Sequence, residues 1–218
     1  MVYSTVSPRT LKGAIVAIDA NQPRPFTILF QYNPEKVQRS LQPRLLGGDG
    51  GQQLETLRYT GPPVETINVE ITIHAAEQLD KGEETAVSFG IHPQLAALEI
   101  LAYPQSQQVV QNGRLAAQGA IEIGPYTAPL TLFVWGRSRV MPVTLTGFTM
   151  QEQLFDTRLN PLQATLTLNM RSLSYADLDS SHRGYHLFLA YQQIKEGLAQ
   201  RWATGDAGAF TGVDSGRF

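Results

Sequence analysis

The sequence predicts a mainly β chain of the α+β class, with antiparallel strands, one short helix and one longer C-terminal helix. Three observations carry this. Ile67, Val69, Ile71 and Ile73 alternate with Asn68, Glu70, Thr72 and His74, and Ala164, Leu166, Leu168 and Met170 alternate with Thr165, Thr167, Asn169 and Arg171. A period of two puts one set of side chains on a buried face and the other in water. Around these segments, runs rich in Val, Leu, Thr and Phe are broken by Gly and Pro, which gives roughly six to eight strands joined mostly by short turns. Helical spacing is confined to two places.

In chain order, Leu11 to Ile18 and Pro25 to Tyr32 are apolar, β-branched runs separated by Asp19-Ala20-Asn21-Gln22-Pro23, a hairpin or meander with a polar turn. Pro34 ends regular pairing because proline has no N–H for the ladder. Lys36 to Leu41 reads as another short strand. Residues 42–63 change character: Gly47-Gly48-Asp49-Gly50-Gly51 offers little to pack and many backbone states. It is either a disordered loop or an arm that orders on a partner, and Gly61-Pro62-Pro63 closes it. Pro93 suits the first position of a short helix after His92, with Leu95, Leu98, Ile100 and Leu101 following until Pro104. Pro129 to Trp135 and Val140 to Met150 read as strands, with Gly136 at the turn between them. Asp177, Asp179, Ser180 and Ser181 are placed to cap the last helix, along which Leu187, Tyr191, Ile194, Leu198 and Trp202 form one apolar stripe up to Gly205. With no internal repeat and no linker, residues 1–205 form one domain and residues 206–218 a flexible Gly-rich tail.

Composition narrows the function. Charged residues are 17% of the chain, against about a quarter in a typical soluble domain. The chain is either an ordinary β-rich domain or one whose surface is covered by neighbours, since charge is depleted at interface cores. The net charge is −2, and Lys and Arg are scattered singly, so nucleic acid has no electrostatic footprint. No Cys is present, which excludes disulfides, thiolate metal sites and cysteine nucleophiles. No run approaches the roughly 18 apolar residues of a membrane span, and Met1 to Lys12 lacks an apolar core of a secretory signal, so folding in a cytoplasm is expected.

The residue pattern offers no reaction centre. His182 and His186 have helical i, i+4 spacing, but no HExxH arrangement accompanies them and Gly184 lies between. Helix-end histidines with polar neighbours are the favoured reading over a zinc site. His74 falls on the wet face of its strand. No GxSxG elbow exists, the glycines around Asp49 lack the Lys and Ser/Thr of a phosphate loop, and Glu65, Glu70, Glu122 and Asp156 are dispersed. Catalytic residues, metal ligands and cofactors are therefore not expected. The aromatic residues Phe30, Tyr32, Phe133, Trp135, Phe148 and Phe155 suit core or interface packing, with a carbohydrate-stacking platform as the lesser alternative.

Taken together, Phe30-Gln31-Tyr32-Asn33-Pro34-Glu35, then Phe133-Val134-Trp135-Gly136 with Met141-Pro142-Val143, then Phe155-Asp156 and Leu159-Asn160-Pro161 with Ala164, and finally Leu187-Phe188-Leu189-Ala190-Tyr191-Gln192 resemble the tube-protein family of contractile injection systems. Specifically, the resemblance is to the baseplate adaptor, or tube initiator, of phage-tail-like particles, and it runs from about residue 11 to about residue 200. It implies packed antiparallel sheets in a partial barrel, in a homohexameric ring that joins the spike or hub protein to the inner tube proteins beside other baseplate proteins. It implies no direct membrane insertion and assembly in a bacterial cytoplasm, within a particle that is released or membrane-anchored. Similar adaptors often carry a LysM module, for which the residues after Gly205 leave no room. On this reading Tyr32, Asn33 and Pro34 form a turn at a subunit contact, Trp135 and Phe155 are packing anchors, and Gly47, Gly48, Asp49, Gly50 and Gly51 form a partner-ordered loop. The principal inner tube protein and a β-sandwich carbohydrate-binding module are the alternatives.

Overall fold

The computed structural model describes residues 11–18, 25–46, 58–119 and 128–202. The expected turn at 19–23, the Gly47–Gly51 loop, Glu122 and the 206–218 tail fall outside the described residues.

The chain is mainly β with helices, as the alternation demands. Seven strands are described: β1 (Ala14–Ile18), β2 (Phe26–Leu29), β3 (Val37–Leu45), β4 (Tyr59–His74), β5 (Leu130–Val134), β6 (Val140–Phe155) and β7 (Pro161–Ser172). All pair antiparallel in the order β2-β1-β5-β6-β7-β4-β3. The first two runs do pair as a hairpin, Ala14 opposite Leu29 and Ala17 opposite Phe26.

The packed sheets expected from the resemblance are two halves of one continuous sheet. β6 is shared between them. Val140–Val143 pairs with β5, whereas Val143–Phe155 pairs with β7, and a register shift falls between Leu145 and Gly147. A bulge bends its strand and adds twist, so β1, β2 and β5 fold over onto β4 and β7. One cluster therefore contains Ile15, Ile28, Phe30 and Phe133 from the first half with Ile67, Val69, Ile71, Leu166, Leu168 and Met170 from the second. Gln31 closes the open side. Its amide donates to the His74 carbonyl at 3.0 Å and accepts from the His74 N–H at 2.8 Å, a side-chain substitute for a ladder rung.

Five helices are described rather than the two expected: α1 (Ala76–Asp80), α2 (Glu84–Phe89), α3 (His92–Glu99), α4 (Ser106–Ala117) and α5 (Arg183–Trp202). The short helix at Pro93 is α3 and the long C-terminal one is α5. α1 and α2 are too short to show a periodic stripe, and α4 buries no residue at all, so nothing in the apolar pattern marks them. α3 contributes Ile91 at its N-cap, Leu95 and Leu98 to the core; α5 contributes Tyr191.

Two sequence boundaries move. Gly61, Pro62 and Pro63 lie inside β4, and β3 runs on to Leu45, so the described ends of the 42–63 segment pair as a two-stranded ribbon. β7 pairs with β4 only from Thr66 onward, which leaves the prolines beside an open edge that needs no N–H from them. The acidic and hydroxyl residues before α5 are not its caps. Asp179 accepts from Ser181 and Asp177 from Ser174, while the Gly184 N–H donates to Nδ1 of His182 at 3.1 Å.

Candidate functional site

The strand alternation produces a wide polar face on the side of β3, β4, β7 and β6 away from the core. Register places Gln38 beside Asn68, Ser40 beside Thr66, Asn68 beside Asn169, Glu70 beside Thr167, and Thr167 beside Thr149. Thr72, Thr165, Gln151, His74, Gln163 and Gln153 continue the rows. The Asn68 side-chain amide donates to the side-chain Oδ1 of Asn169 across the strands. Hydroxyls and amides dominate; Arg171 is paired with Asp177 at 2.8 Å, leaving Glu70 as the main charge along these rows. Such a surface hydrates well and attracts neither sign of charge.

At the edge of this face a cleft of about 610 Å³ is lined by Tyr32 to Lys36, Gln38, Asn68, Glu70, Thr72 and His74. The Tyr32 ring meets His74 edge-on, centroids 6.2 Å apart. Tyr32 is exposed, but its neighbours are structural. Asn33 Oδ1 accepts from the Gly13 N–H at 2.8 Å and its amide donates to the Leu11 carbonyl at 2.7 Å, which pins the segment entering β1. Pro34 lies in the chain leading to β3. The structure thus brings Tyr32, Asn33 and Pro34 together on one side of the cleft, with Asn33 serving the fold and Tyr32 facing solvent.

Trp135 and Phe155 are apart from this cleft and from each other in role. Trp135 is half-buried, stacks on Phe133 at 5.9 Å and 11°, and covers Gly13, where an added Cβ would sit 2.7 Å from the indole. Phe155 is exposed at the tip of the β6–β7 hairpin. The turn beyond it is built by Asp156, whose carboxylate accepts from the Asn160 amide (2.8 Å) and from the backbone N–H of Asn160 (2.8 Å) and Arg158 (2.7 Å). The Asn160 amide above all, then those N–H groups and the Arg158 charge, hold this carboxyl below the usual carboxylate range. The turn then locks onto α2: Arg158 donates to the Val87 carbonyl, Asn160 to that of Ser88, and the Ile91 N–H to the Pro161 carbonyl.

One polar cluster was not legible as such from the residue pattern. Glu65 is 2% exposed on the core face. Its carboxylate accepts from Arg39 Nε at 2.7 Å and from Arg39 Nη2, and Lys195 Nζ lies 3.3 Å away; Arg39 also donates to the Tyr191 hydroxyl at 2.9 Å. Lys195 stands over the Tyr191 ring at 4.1 Å. The cluster ties β3 and β4 to α5, and a buried carboxylate needs that pairing. The available signal was phase: Glu65 falls on the same parity as Ile67 and Val69.

His182 and His186 do not converge on a site. His182 caps α5, and His186 packs edge-on with Tyr185, centroids 5.4 Å apart. Among the described residues no group of three or more His, Asp or Glu could hold a metal ion, and no described helix is long and apolar enough to cross a membrane. No protein-family model matches the chain, and no curated protein matches it.

Proposed function

We propose that the chain is a non-enzymatic ring subunit of a phage-tail-like contractile injection particle, seated in the baseplate between the spike or hub and the inner tube and initiating tube assembly. The observation that carries this reading is the polar, nearly uncharged face of the β3-β4-β7-β6 half, backed by a core on its other side. Such a face suits the wall of a wet lumen, through which cargo passes without sticking to charge or to apolar surface. Among the described residues β2 and β3 are the edge strands of the sheet, and sister strands completing such edges in a closed circle would avoid open-ended aggregation. The exposed ribbon and hairpin ends give such a ring surfaces to set against the next layer.

The test is assembly. Purified protein at high concentration should form rings visible by negative stain, with a mass of six chains by native mass spectrometry, and deletion of the gene should leave particles without tubes. Intact full-length particles in the deletion strain would overturn the reading. The cleft beside Tyr32 is what favours the carbohydrate-binding alternative, and glycan binding by a persistent monomer would favour it over the ring.

A further inference from the structure

We infer that Asn112 is a site of spontaneous covalent modification, its side-chain amide converting through a cyclic imide to aspartate and isoaspartate when α4 opens. Asn112-Gly113 is the one Asn-Gly pair in the chain. The chemistry is intramolecular. The Gly113 backbone nitrogen attacks Cγ of Asn112, a new C–N bond forms, and ammonia leaves with the proton that this nitrogen gives up. The five-membered imide then takes up water at one of its two carbonyls. Cleavage of the N–Cγ bond gives aspartate, whereas cleavage at the main-chain carbonyl gives isoaspartate, with the chain continuing through Cγ. Water is the co-reactant, and nothing is oxidised or reduced. Glycine suits the second position because it puts no side chain in the path of the ring closure and lets the backbone reach the geometry required.

A closed helix blocks that attack, since the Gly113 N–H is committed to a hydrogen bond one turn back. α4 is weakly held closed. It has 12 residues, no side-chain hydrogen bond at its N-cap and no buried residue. Helices shorter than about 12–15 residues are marginal in water without tertiary packing. Gly113 stands in its interior and Val109 and Val110 are β-branched, choices that weaken a helix further. Arg114 is its one charged residue, so no i, i+4 ion pair within the helix adds support.

The way α4 lies on the chain adds little. Gln108 and Asn112 are its half-buried positions, whereas Val109 and Val110 are 43% and 54% exposed. The helix thus turns amides inward and valines to solvent, the reverse of a packed amphipathic helix. Gln108 Oε1 is enclosed and, among the described residues, meets no hydrogen-bond donor, which costs free energy for as long as α4 stays closed. A Cβ on Gly113 would meet nothing within 4 Å, so the imide ring has room. Opening α4 takes nothing from the core cluster, to which it contributes no residue, and segments with few buried contacts open at the low end of local stability. The change is one-way. Isoaspartate lengthens the main chain by one carbon in the middle of α4, and either product adds a negative charge there.

The test ages the full-length chain in mildly alkaline buffer beside a sample unfolded in urea. Peptide mass spectrometry follows the replacement of NH2 by OH at residue 112, and enzymatic methylation of isoaspartyl residues identifies the rearranged product. Expected is conversion in the folded chain within about tenfold of the rate in urea, as for a segment that opens readily, with Asn68 and Asn169 in the paired strands β4 and β7 unchanged. Val109→Ala with Val110→Ala leaves the Asn-Gly pair intact; by raising helix propensity it should slow conversion of the folded chain about fivefold and leave the rate in urea as it was. Gly113→Ala should slow conversion in both samples. A folded chain that converts more than about tenfold slower than in urea would show α4 shut over the pair. That result overturns the inference, as does a folded-chain rate indifferent to the two valine substitutions.

Discussion

At the scale of single residues, the motif positions work chiefly as fasteners. Gly90 has φ +58°, and a Cβ there would meet the Pro161 carbonyl oxygen at 2.2 Å. Gly90→Ala combines a disfavoured backbone region with a clash against main chain that cannot swing away. The expected loss is at least about 2 kcal/mol, or a melting temperature lower by roughly 4–8 °C in a domain of this size; an unchanged melt would remove this account of the α2–β7 junction. Asp156 and Asp177 set the acid response. Burial works against charge on Asp177, but Arg171 and Ser174 donors outweigh it, and the carboxyl is held below the usual range like that of Asp156. A lowered folded value means that the unfolded chain binds protons first. The stabilisation is therefore complete above the ordinary value of 3.8 and is lost as pH falls through the lower folded value. Urea midpoints should drop steeply below about pH 4, and Asp156→Asn with Asp177→Asn should flatten that limb; an unaltered slope would assign acid sensitivity elsewhere.

At the scale of elements, β6 and Gln31 decide the shape. One strand can serve two sheet halves only because the register shift near Gly147 turns it, and the fold-over then needs a fastener on its open side. Gln31→Met keeps the volume and removes both hydrogen bonds to the His74 backbone. The expected cost is about 1–3 kcal/mol, with faster hydrogen exchange at the His74 amide while the β4–β7 ladder stays protected. Exchange rising equally along β7 would place the effect in global stability instead. The β3–β4 ribbon behaves differently from the core strands, since beyond Thr66 toward Tyr59 it has no β7 beside it. Its base is held by the Glu65, Arg39 and Lys195 cluster.

At the scale of the whole molecule, the polar face of the β3-β4-β7-β6 half is the surface to which the ring reading assigns a task, that of facing water in a lumen. Replacing Gly47–Gly51 by a shorter turn tests a second task. On the proposed reading, ring stacking seen by negative stain should fail while the monomer melts at the same temperature. A lower melting temperature would instead show that the segment supports the core.

The strand content, the antiparallel pairing and the buried parity of β4 and β7 are properties of local period, and Ile67 through Ile73 or Ala164 through Met170 declare them without reference to any other part of the chain. α3 and α5 are equally local, marked by Pro93 and by the stripe ending at Trp202. What the linear order could not declare is where distant segments meet. Gln31 and His74, Asn33 and Gly13, Arg158 and Val87, or Glu65 and Lys195 gain their roles only after β6 has bent and the two halves have closed. Hydrogen bonds and ion pairs reach about three ångströms, so their partners are settled by tertiary packing, whereas the water-facing or buried side of a strand is settled by counting in twos.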